Sequence, residues 1–187
     1  MGCGPIGHSL HDFQKASVMR ILLFLLIFTL TACQEEVKTP DPVPLTRAAE
    51  GFYCNMIVID HPGPKAQVFE KGRDAAIWFT SVRDALAYDI LPGEAQHVLA
   101  IYVHDMGRAD SWNKPQDNGI WIRAKDAFYV IDSKKRGGMG AKETIPFGDR
   151  ARAGEFVAKF GGRIVTRKEI PQDYLLGDEG EYDAPND

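Results

Sequence analysis

Two stretches of this chain read alike, and that internal repeat constrains the fold more than any other feature of the sequence. Val58-Ile59-Asp60 opens one stretch and Val130-Ile131-Asp132 opens the other. Each is followed by a loop containing Gly or Pro. Next comes a segment ending in an aromatic residue and a helix cap: Trp78-Phe79-Thr80-Ser81 in the first, Pro146-Phe147-Gly148-Asp149 in the second. The offset is 72 residues at Asp60/Asp132 and 68 at Phe79/Phe147. A duplicated unit of strand–loop–strand–helix–strand is expected, packed with its copy as one small α+β domain.

Hydrophobic periodicity fills in the elements. Candidate strands are Met56–Ile59, Ala75–Phe79, Val98–Val103, Gly119–Ile122, Phe128–Ile131 and Arg163–Thr166. Ser81 is a good N-cap for a helix through Val82, Ala85, Leu86 and Tyr88, and Leu91-Pro92-Gly93 stops it. A second helix starts near Asp149. Ala153, Phe156, Val157 and Phe160 fall on one of its faces, and Gly161-Gly162 ends it. In this alignment of the halves, the Cys54–His61 region and the Met139 loop occupy corresponding places.

Ahead of the repeat, Arg20 precedes an unbroken apolar run, Ile21–Leu30. At about ten residues the run is half of what a membrane span needs, and a basic flank before a short apolar core is the layout of a secretory signal. It leads into Leu30-Thr31-Ala32-Cys33, which resembles the bacterial lipoprotein cleavage box and implies acylation of Cys33. Met19-Arg20 would itself begin such a signal, so Cys3 is expected to lie upstream of the true start. Residues 1–32 are assigned to the signal. Residues 33–45, with Pro40, Pro42 and Pro44, form an extended tether. Residues 46–176 form the domain and 177–187 an acidic, frayed tail. The expected location is the periplasm, lipid-anchored to the envelope. The outer membrane is favoured because Gln34 gives no recognised inner-membrane retention signal, and the inner membrane stays open.

Losing residues 1–32 leaves 20 basic against 25 acidic side chains, a balance that offers nucleic acid no basic surface. It also leaves one thiol besides Cys33. Cys54 stands in an oxidising compartment without a partner cysteine, which calls for burial, a metal or reactivity. Met56 follows it by two residues, Met106 follows His104 by two, and Met139 sits in Gly137-Gly138-Met139-Gly140. Thiolate, thioether and imidazole together are a soft donor set, better suited to Cu(I) than to harder divalent ions. A buried Cys and Met in a strand would also fit the residues around Met56.

Phe52-Tyr53-Cys54-Asn55-Met56-Ile57-Val58-Ile59-Asp60-His61-Pro62-Gly63-Pro64-Lys65-Ala66-Gln67 resembles the NosL signature: Cys-x-Met, a hydrophobic run, Asp-His-Pro and Lys-x-Gln. Ala127-Phe128-Tyr129-Val130, Gly138-Met139-Gly140, Pro146-Phe147 and Phe160-Gly161-Gly162 match that family in order, over roughly residues 46–168. The resemblance implies a lipid-anchored periplasmic copper chaperone with a duplicated ββαβ fold. It implies delivery of Cu(I) to nitrous oxide reductase, with an ABC-type assembly complex of the inner membrane as a further partner. Asn55 stands where the family tripeptide is Cys-Gly-Met, and Asn tolerates unusual backbone angles.

Ranked as metal ligands, Cys54 comes first, then Met139 and Met56, which on a strand would share a face with Cys54. His61 is either a ligand or a hydrogen-bonding turn residue. His104 and Met106 form a weaker second pair, and His97 is a surface residue. An enzyme is not expected. A thiol hydrolase or lyase using Cys54 with His61 or His104 as base would need a third, orienting group that the sequence does not single out. A lipoprotein that binds a partner without metal is the other alternative.

Overall fold

A computed structural model describes Met1 and residues 39–93, 97–114 and 119–177. The expected signal, Cys3, Cys33, the first part of the tether and the tail beyond Gly177 lie outside the described residues. From Thr39 onward the chain forms one compact unit.

Its elements run β1 (Ala66–Glu70), β2 (Ile77–Phe79), α1 (Val82–Ile90), β3 (Val98–His104), β4 (Trp121–Arg123), β5 (Phe128–Ile131), β6 (Ile145–Phe147), α2 (Arg150–Phe160), β7 (Arg163–Thr166) and a short α3 (Gln172–Leu176). One antiparallel sheet has the order β2-β1-β3-β4 and the other β6-β5-β7. The first three strands with α1, and the last three with α2, are thus the same ββαβ unit with the same strand order. The α+β class and the duplication are what the sequence predicts.

The register of the repeat is different from the expected one. Ala66 pairs with Phe79 and Val103 in the first sheet, as Phe128 pairs with Phe147 and Thr166 in the second. The counterpart of Phe128–Ile131 is therefore β1, and not Val58–Asp60. Phe79 and Phe147 are equivalent, whereas Asp60 and Asp132 are not. Cys54–His61 precedes the first unit altogether, and Met139 lies between β5 and β6 of the second. The two regions do not occupy corresponding places.

Nor is Met56–Ile59 a strand. Ile57 makes one isolated bridge to Glu50, and Val58–Asp60 closes into a single 3-10 turn in which the His61 N–H reaches the Val58 carbonyl at 3.3 Å. Pro62 cannot continue a ladder, and Val58 is drawn fully into the interior. Local β preference yields here to tertiary packing.

Both helices are capped by the residues the sequence nominates. The Ser81 hydroxyl accepts from the Asp84 N–H at 3.3 Å, and the Asp149 carboxylate accepts from the Arg152 N–H at 2.9 Å. Gly162 (φ +95°) is obligatory: a side chain there would start 2.4 Å from the Ile131 carbonyl oxygen. Val82, Ala85 and Leu86 of α1 pack into a core that also takes Val68, Val103, Tyr129 and Val165, so the two sheets share one interior. The Met106 N–H, 2.9 Å from the Pro146 carbonyl, joins them at the rim. Part of the expected tether is held on the first sheet. The Tyr102 hydroxyl donates to the Pro40 carbonyl at 2.8 Å. The buried Gln67 amide both accepts from the Val43 N–H at 2.9 Å and donates to its carbonyl at 3.1 Å.

Candidate metal centre

Cys54 sits in a closed turn. The Gly51 N–H bonds the Met56 carbonyl at 2.9 Å and the Asn55 N–H bonds the Gly51 carbonyl at 2.7 Å. Asn55 takes the left-handed conformation this closure needs, at φ +53°, which an Asn tolerates as a Gly would. The turn docks on the β2 edge through the Phe52 N–H to the Trp78 carbonyl, 2.8 Å. This leaves the Cys54 thiol partly exposed and 3.7 Å from the Thr80 hydroxyl. A side chain on Gly51 would begin 2.5 Å from Sγ and would displace the thiol from its present position. Phe52 and Tyr53, which precede Cys54, meet Phe79 and Tyr88 in tilted and edge-to-face contacts.

The His61 turn and the Met139 loop meet each other next to Thr80. A side chain on Gly138 would begin 2.9 Å from His61 Cβ, 2.9 Å from the Pro62 carbonyl oxygen and 3.5 Å from that of Thr80. The bare backbone at Gly138 is therefore what lets the Met139 loop lie against the His61 turn and the Thr80 junction. Met139 is half exposed at 50% and Met56 is 36% exposed. Neither fills the core, where methionine ordinarily serves as packing. Thr80 thus meets the Cys54 thiol through its hydroxyl and the Met139 loop at Gly138 through its carbonyl, His61 meets that loop at Gly138, and Met56 belongs to the same turn as Cys54.

The weaker pair does not join them. His104 is fully buried with its ring 4.0 Å from that of Trp121, and neither ring nitrogen has a partner among the described residues. Burial, and then the nearby Lys65, push it down to about 3, so it stays neutral. Met106 packs beside Val130, Ile145 and Phe147. His97 is exposed, as expected. Cys54 has Thr80 rather than an imidazole as its hydrogen-bond neighbour, so the nucleophile–base pair of a thiol enzyme is not formed with His104. Among the described residues, no three His, Cys, Asp or Glu side chains gather to hold a metal. The exposed thioethers of Met56 and Met139 are soft donors on the loops that also carry Cys54 and His61.

Beneath these loops lie two titratable residues that the sequence reading passed over as site residues. Lys65 is fully buried and donates to the Pro62 and Gly63 carbonyls at 2.9 and 2.7 Å. Burial lowers its ammonium to about 8, with Glu143 opposing. Burial likewise raises the Glu143 carboxyl to about 8, even though its Oε1 accepts from Ser81 Oγ, the Arg83 N–H and the Thr144 N–H. Beside the turn, Arg47 grips Asp60 with two hydrogen bonds of 2.8 and 2.9 Å and holds its carboxylate below the usual range. The Lys-x-Gln signature pointed to Lys65. Glu143 had no signal beyond its closeness to Met139.

Fold and site together define a small duplicated α+β protein that presents sulfur and imidazole donors on surface loops. Comparison with known proteins gives the family: the NosL family model matches residues 42–175, and the chain belongs to the NosL family. It is similar to the copper-binding lipoprotein NosL of Achromobacter cycloclastes, at 42% identity over 158 residues covering 83% of this chain and 81% of the relative. It is also similar to that of Stutzerimonas stutzeri, at 37% identity covering 83% and 80%. Among solved structures it resembles the copper chaperone NosL of Shewanella denitrificans, with a TM-score of 0.65 and 29% identity over 72% of this chain and 98% of that one.

Proposed function

We propose that this chain is a Cu(I) chaperone and not an enzyme, with copper as its cargo, and that its two or three ligands at any one time are drawn from Cys54, Met56, His61 and Met139. The observation that supports this reading is that Thr80 borders both the Cys54 thiol and Gly138 of the Met139 loop, that His61 lies against the same Gly138, and that both methionines are exposed. Two or three soft donors on an open surface suit a carrier: they protect the thiolate while bound and leave room for an acceptor's ligand to enter. The family supports the rest of the reading. The mature protein is periplasmic and anchored to the envelope through acylated Cys33, the outer membrane being favoured and the inner possible. Its destination is nitrous oxide reductase, reached with an ABC-type assembly complex of the inner membrane.

Anaerobic titration with Cu(I) against a chromophoric chelator tests the proposal. Cys54→Ala is expected to weaken binding by at least the about 100-fold that loss of a supporting group around a metal can cost. X-ray absorption is expected to show sulfur scattering with low coordination number. Affinity unchanged in Cys54→Ala, or a closed four-coordinate N/O site, would overturn it.

A further inference from the structure

The proposed ligands sit on separate segments, and something must hold those segments at one spacing before metal arrives. Two buried polar residues do so. Glu143 Oε1 receives Ser81 Oγ at 3.3 Å, the Arg83 N–H at 2.8 Å and the Thr144 N–H at 2.9 Å. That ties it to the junction between β2 and α1, which begins at Thr80 against the Cys54 thiol. Its other oxygen has no hydrogen-bond partner among the described residues and lies against the Met139 loop: a side chain on Gly137 would start 2.7 Å from Oε2, so the loop packs directly on the carboxyl. The Gly137 N–H to Ala141 carbonyl bond (2.9 Å) and the Gly140 N–H to Gly137 carbonyl bond (3.0 Å) close that loop above it. From the far side, the Tyr174 hydroxyl donates to the Glu143 carbonyl at 3.0 Å. Lys65 plays the matching part for the third segment, clasping the two carbonyls that follow His61. A wholly buried carboxyl and ammonium are costly to keep, and hydrophobic residues would fill the space at less cost.

We propose that Glu143 and Lys65 are positioning residues of the copper site: Glu143 fixes the Met139 loop against the Thr80–Ser81 junction, and Lys65 fixes the His61 turn. This rests on the ligand assignment made above. Neither residue touches the metal. Each sets the place of a loop that does, so that a half-exposed Met139 is still held in one position.

The test uses the chain labelled with ¹³C-methyl methionine and ¹⁵N-histidine and compares the parent with Glu143→Gln, Glu143→Leu, Gly137→Ala and Lys65→Met. Glu143→Gln preserves an acceptor oxygen and the shape of the carboxyl, and is expected to bind Cu(I) as the parent does. Glu143→Leu, which has no acceptor, and Gly137→Ala, which pushes the loop off an unaltered carboxyl, are expected to weaken Cu(I) binding about 10- to 100-fold. In both, the Met139 methyl signal no longer shifts on Cu(I) addition while that of Met56 still does. Lys65→Met is expected to lose the response of the His61 ring in the same selective way. Should Glu143→Leu fail to fold, Gly137→Ala carries the test. In metal-free protein, amide exchange at Gly137–Ala141 is expected to quicken in Glu143→Leu and not in Glu143→Gln. Parent-like affinity and exchange in folded Glu143→Leu would overturn the proposal, as would uniform loss of every signal. If instead Cys54→Ala binds Cu(I) like the parent, the ligand assignment fails, and the anchoring role is decided by the metal-free exchange alone.

Discussion

The Sγ of Cys54 lies 3.7 Å from the Oγ1 of Thr80, and the carbonyl of the same threonine faces Gly138 on the Met139 loop. One buried residue thus touches two ligand-bearing segments through different atoms. Thr80→Val keeps the shape and removes the hydroxyl that steadies the sulfur. It is expected to weaken Cu(I) binding by about 10- to 100-fold, as loss of a second-shell hydrogen bond does, with Thr80→Ser restoring it. Competition titration of the three proteins reads this directly.

Gly138→Ala tests the meeting of the loops from the other side. The new methyl would start 2.9 Å from His61 Cβ and from the Pro62 carbonyl oxygen, and that backbone oxygen cannot rotate away. The His61 turn and the Met139 loop are expected to part, with a fall in Cu(I) affinity and little change in the unfolding midpoint. Equal affinity in the variant would mean the loops need not touch.

Acid should weaken the fold through His104. Its ordinary value of 6.5 falls to about 3 when buried, so between those limits the unfolded chain takes up a proton that the folded chain refuses. Stability contributed by the neutral ring is complete above pH 6.5 and falls as pH drops toward 3, at up to about 1.4 kcal/mol per pH unit. Urea unfolding at pH 7.5 and pH 4.5 is expected to show a smaller loss in His104→Phe than in the parent. Equal losses would place the acid sensitivity elsewhere.

Gly154 offers a stabilising change far from the site. It lies inside α2 with nothing within 4 Å of where a Cβ would stand. Gly154→Ala is expected to raise stability by about 0.5–1 kcal/mol, because glycine loses more backbone freedom on folding than alanine. Chemical denaturation measures it, with Cu(I) affinity unchanged.

The duplicated unit was legible because caps and turn glycines mark helices plainly: Ser81, Asp149 and Gly161 all stand where the sequence puts them. Its register was not, because β1 hides its alternation. Gln67 is wholly buried within that strand, and the buried Lys65 directly precedes it; both are satisfied by backbone groups that no local pattern reveals. The β-branched Ile57-Val58-Ile59 gives the stronger strand signal and belongs to a turn. Pro146 disguised β6, which tolerates it as an edge strand. At the site, the soft donors could be read from residue type alone. Thr80, Gly51 and Gly138 could not, since their part is to permit close approach, and approach is a property of the folded chain.

The grip of Gln67 on Val43 and of Tyr102 on Pro40 shortens the leash. If Cys33 carries lipid, the chain from it to Pro40 spans at most about 25 Å fully drawn out. A domain on so short a line cannot roam between membranes. Whatever surface holds the acyl chains also fixes which acceptors come within range: an inner-membrane assembly complex is met directly only from an inner-membrane anchor, and from the outer membrane the copper must first pass to a soluble acceptor.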